Sequence, residues 1–212
     1  NVTLGTINNT SPAGASVYAN YFDSSFGAVV LFRGTPYTLS ISRPTNADPI
    51  SRRAWIDYNL DGVFSSNELI ASENSSSNLT STFTFTLPNN ALTGFARMRV
   101  GTTYGSNFID PCATFMGEFE DYKIVRARDT IRPVITLNGA DTISVEINGS
   151  YTDPGATATD NLESNTTITS KLQYSSDLDI TRVGFYRGCY DVTDFYGNQA
   201  ITKCRTIAVK VD

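Results

Sequence analysis

Arg53-Ala54-Trp55-Ile56-Asp57-Tyr58-Asn59-Leu60-Asp61-Gly62-Val63-Phe64-Ser65-Ser66-Asn67-Glu68 reads as a strand running into a twelve-residue loop. Arg53–Asp57 is short, apolar at its centre and lacks helical periodicity. From Asp57 onward, oxygen-bearing side chains stand at loop positions 1, 3, 5, 9 and 12: Asp57, Asn59, Asp61, Ser65 and Glu68. The Val63 carbonyl falls at position 7, Gly62 at the sharp turn of position 6, and Phe64 at the apolar anchor of position 8. Calcium takes about six to eight oxygen ligands at roughly 2.3–2.6 Å, and this spacing supplies them, with Ser65 acting through water. A plain turn between strands accounts for Asp61-Gly62, but not for Asp57, Asn59 and Glu68 at these offsets. A strand stands where a sensor would carry a helix. The pattern therefore predicts a calcium loop grafted onto a sheet, ordering a long connection rather than opening a helix pair.

Working outward, short alternating runs separated by Gly, Pro, Asn, Asp and Ser predict strands throughout. They are Tyr37–Ser42, Arg53–Asp57, Ser81–Leu87, Phe95–Val100 and Glu118–Val125, then Val134–Leu137, Ile143–Ile147, Thr167–Gln173, Arg182–Asp191 and Ala200–Val211. Asn74–Ser81 reads as a low-complexity polar loop, and the boundary falls at Arg128–Pro133, a charged segment ending in proline. The expected architecture is all-β, with two β-sandwiches in tandem: residues 1–127, a linker at 128–133, and residues 134–212.

The 212 residues carry a formal net charge of −5, three cysteines and no histidine. The missing histidine excludes Ser-His-Asp and Cys-His catalysis and His-ligated zinc, iron or copper. The acidic balance argues against nucleic acid or an anionic membrane as partner. No apolar run approaches the roughly 20 residues that span a bilayer. Starting at Asn1 without a signal peptide, the chain reads as a piece of a longer secreted or surface protein. Cys189 and Cys204 lie symmetrically about Tyr196-Gly197, which predicts that they face each other across a hairpin. With Phe195–Asn198 as its loop, Asp194 and Gln199 close that hairpin, and alternation puts the two cysteines in a pair about 4.5 Å apart at Cα. A disulfide and an oxidising compartment are expected, with two buried free thiols as the alternative. Cys112 is left free, or paired with a cysteine outside this fragment.

Three motifs in order resemble the GEVED family: the strand and loop above through Phe64, Phe95-Ala96-Arg97-Met98-Arg99-Val100, and Gly117-Glu118-Phe119-Glu120-Asp121-Tyr122. The last departs from the family signature only at Phe119. Leu87-Pro88-Asn89-Asn90-Ala91 and Pro111-Cys112 also fit, and the resemblance covers roughly residues 15–127. It implies a jelly-roll-like β-sandwich of secreted and surface bacterial proteins, appended to proteases, glycosidases or adhesins, with no activity to transfer. Residues 131–212 resemble the bacterial surface immunoglobulin-like family through Pro133–Gly139, Tyr151-Thr152-Asp153-Pro154-Gly155 with the run to Asp160, and Asp191–Asn198. That resemblance implies an immunoglobulin-like sandwich acting as a spacer or adhesive unit. Asp153, Asp160 and Asp194 are expected to cap turns, with calcium at one end of the sandwich as the alternative.

Glu118 and Glu120 share one face of their strand, and Phe119 and Asp121 the other. The two glutamates suit a charge network with Arg97 and Arg99, an additional metal site, or an acid/base pair. The network is expected, because pairing is the usual fate of inward carboxylates. Trp55 reads as core rather than as a sugar platform. The functional expectation is a non-catalytic extracellular calcium-binding module in adhesion, surface-structure assembly or a spacer region. Its partner would be a surface glycan or protein, or a neighbouring domain, with no nucleic acid and no membrane insertion. Two alternatives stand beside it. One is a carbohydrate-binding module of a secreted hydrolase, marked by exposed aromatics among Tyr18, Tyr21, Phe22, Tyr104 and Phe108; the other is a hydrolase using Glu118 and Glu120.

Overall fold

Alternation of buried and exposed residues builds paired strands in both halves of the chain. The computed structural model describes residues 1–11, 18–24, 28–45, 48–105, 110–112 and 117–211. It forms two units, Asn1–Arg128 and Asp129–Asp212.

The first unit contains β1 (Val2–Leu4), β2 (Ile7–Asn9), β3 (Tyr18–Tyr21), β4 (Val29–Phe32), β5 (Pro36–Ser42), β6 (Ile50–Ile56), β7 (Leu69–Ser76), β8 (Thr80–Thr86), β9 (Gly94–Tyr104) and β10 (Gly117–Ala127). One sheet runs β2-β1-β5-β8 and the other β3-β10-β9-β6-β7, with β4 also pairing with β10. Leu39 and Ile41 of β5 point inward while Thr38 and Ser40 do not. They meet Met98 and Val100 of β9 and Ile124 of β10 in one apolar cluster between the sheets. Trp55 is buried, as expected of a core residue, with Phe119 and Phe64 in a second cluster.

The second unit contains β11 (Val134–Leu137), β12 (Thr142–Glu146), β13 (Ala156–Thr159), α1 (Asn165–Ser170), β14 (Gln173–Ser176), β15 (Gly184–Asp191) and β16 (Lys203–Lys210). Its sheets are β11-β13 and β12-β16-β15-β14. Ile135, Ala158, Ile168, Tyr190, Val192 and Ala200 form its core.

β1–β4, β7 and β13 lie where the sequence reading named no strand, and two segments differ from the structure assigned to them. The strand expected over Thr167–Gln173 is largely α1. Ser164 caps it by accepting from the Thr167 N–H at 3.2 Å, and Ile168 is wholly buried, so capping and burial override the β-preference of its threonines. Asn74–Ser81 is largely strand, not loop. Buried Arg52 holds this polar stretch, pairing with Glu73 at 2.5 Å and donating to the Asn78 carbonyl at 2.7 Å.

Candidate metal centres

β6 ends at Ile56 and delivers Asp57 to the loop mouth, while a single 3-10 turn, Ser66–Glu68, delivers Glu68. Both carboxylates are buried, at 8% and 3% exposure, whereas Asn59, Asp61 and Val63 are exposed. Three N–H groups fold the loop onto its own side chains. Gly62 donates to Asp57 Oδ2 at 3.2 Å, Asp61 to Asn59 Oδ1 at 3.0 Å, and Val63 to Asp61 Oδ1 at 2.8 Å. Leu60 and Gly62 take φ of +60° and +81°, so the reversal uses two left-handed residues. Glu68 Oε1 accepts from the Tyr58 N–H at 2.7 Å, and Oε2 from the Ser65 N–H at 2.8 Å. Asp57 Oδ1 is buried without a hydrogen-bond partner. Arg126 donates to the Tyr58 carbonyl beside it. Burial lowers the Arg126 pKa, and the charges of Asp57 and Glu68 partly oppose that shift. The donor set is all oxygen and one buried carboxylate oxygen lacks a partner, which fits a hard cation. The carboxylates of Asp57, Asp61 and Glu68 do not converge as a set within 4.8 Å; among the described residues, those of Asp129, Asp160 and Asp194 do.

The expected pairing of Glu118 and Glu120 with Arg97 and Arg99 is corrected. β9 and β10 pair with Asp121 opposite Arg99 and Lys123 opposite Arg97, so the arginines share the face of Asp121. Arg99 forks onto it, with Nε to Oδ1 at 2.7 Å and Nη2 to Oδ2 at 2.8 Å. Arg97 Nη1 donates to Oδ2 at 2.7 Å, and the Tyr18 hydroxyl at 2.8 Å. Burial pushes the wholly buried Asp121 carboxyl up. Hydrogen bonds from Arg99, Arg97 and Tyr18 outweigh burial and hold it below its ordinary 3.8. Glu120 instead faces the core at 5% exposure. It accepts from the Tyr122 hydroxyl at 2.6 Å, which in turn accepts from Asn9 at 2.9 Å. Glu118, on the same face, has its pKa raised by burial and then by Glu120. The Arg99 guanidinium also lies 5.1 Å from the Phe64 ring centroid, so the Asp121 network reaches the apolar anchor of the loop.

Residues 51–125 match the GEVED domain, and residues 135–209 match the Ig-like domain of bacterial surface proteins. The chain carries a GEVED domain followed by a bacterial surface Ig-like domain. The comparison with curated proteins gives no match. Among solved structures, a lipoprotein of Bacteroides thetaiotaomicron is 25% identical over 38% of each chain, with a TM-score of 0.32. The CbhA fibronectin(III)-like modules of Clostridium thermocellum are 12% identical over 99% of this chain and 94% of theirs, with a TM-score of 0.26. The SafA pilin in complex with the SafB chaperone of Salmonella enterica is 12% identical over 84% of this chain and 91% of that one, with a TM-score of 0.33. Likenesses this weak carry no argument about function.

In the Ig-like domain, Asp153, Asp160 and Asp194 do not form one group. Asp153 accepts from the hydroxyls of Tyr151 and Tyr190 and pairs with buried Arg205 at 3.2 Å. Its pKa is raised by burial and lowered more by these partners. Asp160 and Asp194 gather instead with Asp129, from the segment read as a linker. Asp153, Asp160 and Asp194 each cap a local turn, as expected, Gly155 donating to Asp153, and Asp129 does so as well. Ile131 donates to Asp129, Leu162 and Glu163 donate to Asp160, and Asn198 donates to Asp194. Cys189 and Cys204 are cross-strand partners joined by a disulfide, as predicted. The hairpin closes on Thr193 and Gln199, one residue off the expected Asp194–Gln199 pair. Cys112 is exposed and free in the GEVED domain.

Proposed function

We propose that this chain is a non-catalytic extracellular module of a bacterial surface or secreted protein, in which calcium stiffens the GEVED domain and the Ig-like domain serves as spacer or adhesive unit. The observation that carries the calcium reading is Asp57, whose buried Oδ1 has no donor at the mouth of a loop that matches the ligand spacing throughout. Asp57 and Glu68 would hold the ion from the buried side. Asn59, Asp61, the Val63 carbonyl and Ser65 would hold it from the exposed side. Bound calcium would add to the positive charge that Arg126 already brings near Asp57 and Glu68. Bound there, it would tie the exposed tip to the buried carboxylates at the end of the sheet.

The disulfide supports an oxidising compartment, and the match to a surface-protein domain supports the same location. No helix among the described residues is long and apolar enough to cross a membrane. Glu120 is buried against Tyr122, and Glu118 beside it is half-buried, which supports a non-catalytic role. The aromatics named for sugar stacking are largely engaged. Tyr21 stacks on Tyr122, Phe22 lies beneath Arg97 and Lys123, and Tyr18 is bonded to Asp121. Tyr104 stands exposed, as does the ring of Tyr18 despite its bond to Asp121, and Phe108 lies outside the described residues. The partner is then a surface protein or glycan, or a neighbouring domain.

Thermal unfolding of the chain in calcium and in chelator tests the reading. Saturation at about 100-fold above Kd adds roughly 2.7 kcal/mol, and Asp57→Ala should remove that part of the calcium response. A response fully retained in Asp57→Ala would sink the loop as a calcium site.

A further inference from the structure

The Ig-like domain brings together three carboxylates for which neither the loop reading nor the family matches account. Asp129 precedes β11, Asp160 follows β13, and Asp194 lies in the turn after β15. Because β11 and β13 are antiparallel, with Val134 opposite Thr159, the first two segments meet at one end of that pair. Asn198 ties the third to them, its Nδ2 donating to the Asp129 carbonyl at 3.2 Å and to Asp194 Oδ2 at 2.8 Å. One oxygen from each aspartate lies within 4.8 Å of the others. Asp129 is 2% exposed and Asp194 7%.

Among the described residues, no Lys or Arg makes an ion pair with any of the three. Their partners are neutral: N–H groups of the turns, with Asn161 on Asp129 and Asn198 on Asp194. Asp129 Oδ2 and Asp160 Oδ1 are buried with no hydrogen-bond donor. Three adjacent carboxylates, two of them buried and the third half-buried, repel one another without a cation and are poorly solvated, a costly arrangement unless a positive charge joins them.

We propose that Asp129, Asp160 and Asp194 bind a calcium ion. The ligand atoms are hard oxygens, and the chain has no histidine to offer a softer metal. Opposed ligands at about 2.4 Å from an ion are about 4.8 Å apart, the separation within which these oxygens lie. Magnesium demands a tighter, near-ideal octahedron and keeps several of its waters, which suits three converging protein carboxylates less well. The ion would fasten the first residue of the Ig-like unit, Asp129, to two turns of the same unit. This site is separate from the Asp57–Glu68 loop and stands whether or not that loop binds calcium.

The test uses the full chain, equilibrium dialysis against calcium alone, and thermal unfolding in calcium or chelator. Asp160→Asn keeps an acceptor for the Leu162 and Glu163 N–H groups and puts an amide donor where Oδ1 has none. It should lose one bound ion per chain. It should also melt higher than the parent protein in chelator and lower in saturating calcium. That reversal separates a ligand from a turn cap, whose replacement would act alike in both media. Asp194→Asn should lose the same ion, which covers an Asp160→Asn protein that fails to fold. Asp57→Ala should lose a different ion, and the double variant should bind none. If the loop reading alone fails, the parent protein binds one ion, lost in Asp160→Asn and kept in Asp57→Ala. Parental stoichiometry in both Asp160→Asn and Asp194→Asn overturns the site, and magnesium bound as tightly as calcium overturns the choice of ion.

Discussion

The Asp57–Glu68 loop and the Asp129–Asp160–Asp194 cluster offer the same chemistry in opposite forms. The loop's oxygens are consecutive in sequence but dispersed in space, since its three carboxylates do not converge within 4.8 Å whereas those of the cluster do. The cluster's oxygens are dispersed in sequence but already gathered by the fold. A contiguous set must be ordered by what it binds, and that ordering costs conformational entropy. A set assembled from several turns is held in place by the sheets, and the cost of gathering charge there has been met during folding. Contiguity makes a site legible, whereas convergence makes it preorganised.

The largest way to break this separation runs through Asp121. This side chain is wholly buried against Arg99, with Arg97 on its second oxygen, and Arg99 lies against Phe64 in the loop. Asp121→Ala removes the charge-assisted hydrogen bonds of half-buried Arg99 and half-exposed Arg97, which costs about 1.5–3 kcal/mol. It should also loosen the loop anchor and weaken calcium binding at Asp57, while the Ig-like cluster keeps its affinity. Denaturant unfolding and calcium titration measure both effects. Equal loss at the two sites would contradict their independence, and an unchanged loop would contradict the link through Phe64.

The sequence carried this much of the site for identifiable reasons. Loop spacing is readable because each proposed ligand sits at a fixed offset from Asp57. Cysteine pairing was readable from symmetry about Tyr196-Gly197, although the turn itself closes one residue away. Alternation correctly put Glu118 with Glu120 and Asp121 with Phe119. It does not say which face turns inward, so the arginines were matched with the wrong acids; cross-strand register decides that. Asp129 was hidden in a short polar run that reads as a linker, although burial places it inside the second unit. Asp153 caps its turn through Gly155 as Asp160 and Asp194 cap theirs, but it also pairs with buried Arg205 and so stands outside the cluster. An asparagine within the next four residues marks Asp160 and Asp194 and is missing after Asp153.

A smaller effect compares the two arginine–aspartate locks, one in each domain. Asp121 and Asp153 are both depressed below their ordinary 3.8 in the folded protein. A depressed carboxyl contributes stability that is present above the unfolded pKa. That contribution is lost as pH falls through the lower folded value. Both locks should therefore hold through mild acid and weaken only as pH drops below about 3.8. Unfolding free energy measured against pH should decline in that window, and Asp121→Asn should flatten the part of the decline that belongs to the GEVED domain. A decline of equal slope in Asp121→Asn would remove the lock from the account.

The smallest expected effect returns to the loop. Leu60 holds φ at +60°, a left-handed conformation that costs an ordinary residue roughly 1–2 kcal/mol. None of the three cluster aspartates is among the described positive-φ residues. Backbone strain thus accompanies the contiguous site and not the assembled one. Asparagine tolerates this conformation better than leucine and, unlike glycine, does not add much freedom to the unfolded chain. Leu60→Asn should therefore raise stability by about 0.5–1 kcal/mol, less any loss from the Leu60 contact beside Gly94. The turn is already left-handed before calcium arrives, so the gain should be equal in calcium and in chelator. A gain confined to calcium would mean that the left-handed turn forms only with the ion, and the loop would then be less preformed than its own hydrogen bonds indicate.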